Sequence, residues 1–128
     1  MSVQDRLHAY RHLYRTALQA VCYSRPARYE IRDILRESFR SPAATDFNPR
    51  RVENTLRFLK NAGTYNGYEH RILKNLLHLK FYYGRRFDKR LLRTANNHYA
   101  IQARQQIWHQ YRATLAMLNE SMDMCLAF

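Results

Sequence analysis

Arg28, Arg32, Arg36 and Arg40 recur at every fourth position. On a helix that spacing stacks them one turn apart on a single face. The guanidinium fork binds carboxylate and phosphate bidentately, so the chemistry such a row can do is recognition of an acidic or phosphorylated surface. Like charges four apart cost a few tenths of a kcal/mol each in an isolated helix, a cost that an acidic partner docking on the row removes. Glu30, Asp33 and Glu37 line another flank. They leave local pairing, Asp33 with Arg36 and Glu37 with Arg40, as the alternative reading of a solvated face.

A second cluster reads KFYYGRRFDKRLLR, residues 80–93. Lys80, Arg85, Arg86, Lys89, Arg90 and Arg93 stand there against a single acid, Asp88, with Phe81, Tyr82, Tyr83 and Phe87 interleaved. Cations grip phosphates and aromatic rings stack on unpaired bases, so this is the chain's best signal for contact with RNA or an assembly. A basic rim snorkelling around aromatic core residues fits equally well.

Catalytic and metal chemistry find no comparable pattern. His8 and His12 have helical metal spacing, but no third or fourth ligand follows convincingly. Cys22 and Cys125 rule out a disulfide framework or a CxxC zinc site, and read as core residues, the common state of free cysteine. GxSxG, Walker and GxGxxG motifs do not occur. The expectation is a non-enzyme with no metal and no covalently bound cofactor.

The chain has 128 residues, with 22 Lys and Arg against 10 Asp and Glu, a net charge of +12. Arginine outnumbers lysine 18 to 4. The excess is +4 over residues 1–40, +8 over 41–95 and zero over 96–128, which puts a polyanionic or acidic partner on the first three quarters. No stretch approaches the roughly 20 apolar residues of a membrane span. Arg6, Arg11 and Arg15 against Asp5 alone give residues 1–23 the profile of a mitochondrial import helix, here expected to stay as a part of the fold without cleavage.

These residues must be held by helices. Val3, Leu7, Tyr10, Tyr14, Ala17, Leu18 and Val21 fall in one arc, predicting a helix over 3–23, with Tyr14 central, Leu13 on one flank and Arg15 facing away. Pro26 opens a second helix whose apolar face is Ala27, Ile31, Ile34, Leu35 and Phe39. Asn48-Pro49 reads as an N-cap and first-turn proline for a third, with Val52, Leu56, Leu59 and Ala62 inward and a break at Gly63–Gly67. A fourth spans 68–83, apolar over a broad arc of Ile72, Leu73, Leu76, Leu77 and Leu79. Thr94 to Ala127, free of Gly and Pro, reads as one long helix. The fold class is all-α, a single domain of antiparallel helices with short loops.

Three segments carry a resemblance: HLYRTAL at 12–18, IRDILRESFR at 31–40 and RRVENTLRFLKNAG at 50–63. Together they resemble the LYR-motif (complex I LYR-like) family of small mitochondrial adaptor proteins over residues 5–63. The aromatic usual just before the arginine of the second motif is Leu35 here, with Phe39 one turn later.

The resemblance implies a three-helix core at 1–63, with 64–128 as a C-terminal helical extension. It implies a mitochondrial matrix protein that binds acylated acyl carrier protein. The carrier would supply acyl-phosphopantetheine to a tunnel lined by Tyr14, Leu18, Ile31, Ile34, Leu35, Leu56 and Leu59, although ordinary core packing would use the same side chains. The carrier's acidic helix would meet Arg11, Arg15, Arg28, Arg32, Arg36 and Arg40. The pair would dock on a larger assembly, first the mitochondrial ribosome with its RNA and proteins, given residues 80–93. The alternatives are a role as assembly factor or accessory subunit of a respiratory complex or the ATP synthase, and a basic helical RNA-binding protein whose LYR match is accidental.

Overall fold

The computed structural model describes residues 2–41, 48–81 and 98–127, and these are all-α. The helices are α1 (Val3–Ala20), α2 (Ala27–Arg40), α3 (Pro49–Thr64), α4 (Tyr68–Lys80) and α5 (His98–Met122). Three of the boundaries have a local cause. Ser2 caps α1 in a reciprocal box with Asp5, and the serine hydrogen bonds hold the Asp5 carboxyl below its ordinary value. The helix stops short of Tyr23 because Cys22 and Tyr23 both turn to φ 54°. Asn48 Oδ1 accepts from the Arg50 N–H at 3.0 Å, with Pro49 in the first turn of α3.

The pairs α1–α3, α3–α4, α4–α2 and α2–α1 close a ring of packed helices around one core. Ile31, Leu59 and Leu73 are fully buried at its centre. α2 turns in the expected face, with Ile31, Ile34 and Leu35 buried and Ala27 and Phe39 packed at the margin.

α1 is rotated from the expected arc. Its buried residues are Ala9, Leu13, Ala17 and Ala20, so Leu13 rather than Tyr14 points at the core, while Val3 is 74% and Leu7 49% exposed. Three of those four are alanines, which let α1 lie close against α3. Gly63 completes the approach: a Cβ there would sit 3.1 Å from the Ala20 Cα. The glycine belongs to the last turn of α3 instead of breaking it. Similarly, α3 buries Thr55 and Phe58 with Val52, Leu59 and Ala62, and leaves Leu56 half-buried.

The long helix does not continue to Ala127. α5 ends at Met122, where Asp123 adopts φ 50°, and residues 124–127 run back along α3 as an irregular strap. Met124 and Leu126 are buried, completing the core. Asp123 pairs with Arg50 at 3.3 Å and Arg51 at 3.2 Å, and its carbonyl accepts from Asn54 Nδ2 at 3.0 Å. The Cys125 N–H donates to Thr55 Oγ1 at 3.0 Å, and both amide groups of Asn119 bond the Leu126 backbone at 2.9 Å. The two cysteines are therefore not core residues. Cys22 sits in the α1–α2 turn, and Cys125 is exposed between two inward neighbours.

Candidate partner-binding surface

The arginine row of α2 splits into two halves. At the N-terminal half, Arg28 donates to the Tyr29 hydroxyl at 2.7 Å and lies 4.7 Å from that ring's centroid. The Arg28 hydrogen bond holds the Tyr29 phenol below its ordinary value, with Arg25, Arg28 and Arg32 adding positive field. Arg32 lies 5.4 Å from the same ring and pairs with its neighbour Asp33 at 3.1 Å. The local pairings expected of the row, Asp33 with Arg36 and Glu37 with Arg40, are not the ones formed among the described residues.

At the C-terminal half, Arg36 and Arg40 are exposed and carry no ion pair among the described residues. With Arg6 they frame a groove of about 340 Å³ between the start of α1 and the end of α2. Val3, Leu7, Tyr10 and Phe39 supply its apolar lining. Tyr10 meets Phe39 edge-on at 5.3 Å and stacks with Tyr14 at 6.0 Å. Arg6 also reaches the Phe39 carbonyl at 3.4 Å, a cation at the negative end of α2. The rotation of α1 that exposes Val3 and Leu7 therefore builds this groove. An apolar channel walled by guanidinium groups suits an acidic amphipathic segment, whose apolar face fills the channel while its carboxylates meet the arginines.

Arg11 and Arg15 are exposed on α1 and do not line the groove. The sequence reading missed Arg6, Val3 and Leu7 as groove residues. Its signal was present in Arg6 standing one turn before Tyr10, but depends on how α1 is rotated. Of the seven tunnel candidates, Ile31, Ile34, Leu35 and Leu59 are buried in the continuous core, Tyr14 and Leu56 pack against it, and Leu18 is half-buried. Arg85, Arg86, Lys89, Arg90 and Arg93 lie outside the described residues. Lys80 is described: burial lowers its ammonium pKa, opposed by the charges of Glu37 and Glu30. His8 and His12 are exposed, and the described residues hold no cluster of three metal-ligating side chains. No described helix is long and apolar enough to cross a membrane.

One relative is a UPF0593 mitochondrial protein of Schizosaccharomyces pombe, 37% identical over 81 residues. The alignment covers 62% of this chain and 65% of that protein, so the chain spans just under two thirds of the relative's length. No family model and no solved structure matches.

Proposed function

We propose that this chain is a mitochondrial adaptor of the LYR type that binds acylated acyl carrier protein and docks it on a larger assembly, without catalysing a reaction itself. The observation that carries the reading is the pair Arg36 and Arg40, exposed at the rim of an apolar groove and free of ion pairs among the described residues. Carrier proteins of this type present an acidic helix, and that is the partner such a rim recognises by charge-assisted hydrogen bonds. Support also comes from the three LYR-like segments, which fall on α1, α2 and α3. The mitochondrial name of the relative supports the compartment, with the matrix as the proposed site of action.

The proposed assembly is the mitochondrial ribosome, on the strength of the basic aromatic stretch at 80–93. Purification of the tagged chain from isolated mitochondria, with intact-mass analysis of what accompanies it, tests both parts. A stoichiometric carrier bearing an acylated phosphopantetheine supports the adaptor reading, and its absence overturns it. Arg36→Glu with Arg40→Glu is expected to abolish carrier recovery, and the wild-type interaction to weaken as salt rises. Arg85, Arg86 and Arg90 changed together to Glu should leave the carrier bound while ribosomal components are lost. Recovery of a respiratory complex in place of ribosomal components would overturn the ribosomal part alone.

A further inference from the structure

A second cavity, of about 420 Å³, opens at the other end of α2, between the α1–α2 turn and α4. Its volume falls in the range of small-molecule sites, roughly 300–1,000 Å³. Pro26 and Ala27 at the start of α2 are about 20 Å along the helix from Arg40, given ~1.5 Å per residue, so the cavity is separate from the arginine-walled groove. Ala20, Leu73, Leu77 and Phe81 supply apolar walls.

The polar lining is unequal in sign. Arg25 and Lys74 are fixed cations on the wall, and neither has an ion pair among the described residues. His70 and His78 add ring nitrogens to the wall. His70 Nδ1 is engaged with the Ala62 carbonyl at 3.1 Å. The positive end of α2 faces the same space, and its N-cap residue, Pro26, makes no side-chain cap. Among the described residues the one acid on the wall is Glu30, buried at 7% exposure, and its charge is felt by Lys80.

We propose that this cavity binds a small amphipathic carboxylate, its apolar body between Leu73, Leu77 and Phe81 and its carboxylate against Arg25 and Lys74. This site does not depend on the carrier-binding reading, because it uses neither Arg36, Arg40 nor the groove they frame.

Calorimetric titration of the full chain with octanoate tests it, with octylammonium as a probe of equal length and opposite charge. Octanoate is expected to bind saturably with a negative heat-capacity change, and octylammonium not to bind. The variant Arg25→Ser with Lys74→Ser, both positions exposed and so safe for folding, should weaken octanoate at least tenfold. Glu30→Gln, which removes the opposing charge, should tighten it. Methyl NMR should place the shifts at Leu73 and Leu77 and leave Leu7 unmoved. Absence of saturable binding, equal affinity for octylammonium, or shifts centred on Leu7 would each overturn the proposal.

Discussion

Asn119 carries more structure than its type suggests. Its amide oxygen accepts from the Leu126 N–H and its amide nitrogen donates to the Leu126 carbonyl, so one side chain satisfies both backbone groups of a buried residue. Asn119→Ala leaves those groups unpaired, a penalty of about 1–3 kcal/mol. Chemical denaturation should read that loss, and Asn119→Gln, with its amide displaced by a methylene, should not restore it. Tyr111 marks another residue-scale effect. Burial pushes its phenol up to about 12 from an ordinary value of 10.0. The neutral phenol is the form the fold favours, so the associated stability is fully present below pH 10 and is lost as pH rises from 10 towards 12. Ultraviolet titration of tyrosinate should show one late-ionising ring that is missing in Tyr111→Phe, and that variant should lose less stability between those pH values.

Elements meet where small residues permit it. α1 presents Ala9, Ala17 and Ala20 to the core, and α3 answers Ala20 with Gly63. Gly63→Leu has no room on that side, since even a Cβ lies 3.1 Å from the Ala20 main chain. The helices must separate, and the expected cost is about 1–3 kcal/mol of overpacking, measurable as a lowered Tm. The same contact rotates α1 so that Val3 and Leu7 face outward beside Arg36 and Arg40. Helix-to-helix fit thus decides which apolar residues become core and which become groove. The apolar arc of α1 was legible, but Leu13 and Tyr14 stand only 100° apart. Their order of burial depends on the shape of α3.

At the scale of the whole molecule, α5 is joined to the bundle largely through its end. Leu115 and Leu118 pack on the core margin, Trp108 and Tyr111 meet Leu76 and Leu79 at a shallow cavity, and the strap inserts Met124 and Leu126. Met124→Ala is expected to cost about 2–5 kcal/mol. Hydrogen exchange should show the loss first in α5, whose amides should lose protection while those of α1 and α3 keep theirs.

By itself the sequence determined the helical class, the proline and asparagine punctuation that starts α2 and α3, and the row of four arginines. These are local properties, set by backbone dihedrals, capping chemistry and the 3.6-residue period. It could not divide the row, because Arg28 and Arg32 engage Tyr29 and Asp33 through side-chain conformations that spacing leaves open. Nor could it turn α5 back at Asp123: nothing in residues 119–127 breaks a helix, and the reversal is held by Arg50, Arg51, Asn54 and Thr55, some seventy positions earlier in the chain. Only the tertiary structure brings those partners within hydrogen-bond reach, and with them Arg6 beside Arg36 and Arg40, because burial selects among helix rotations and chain reversals that are locally almost equal in energy.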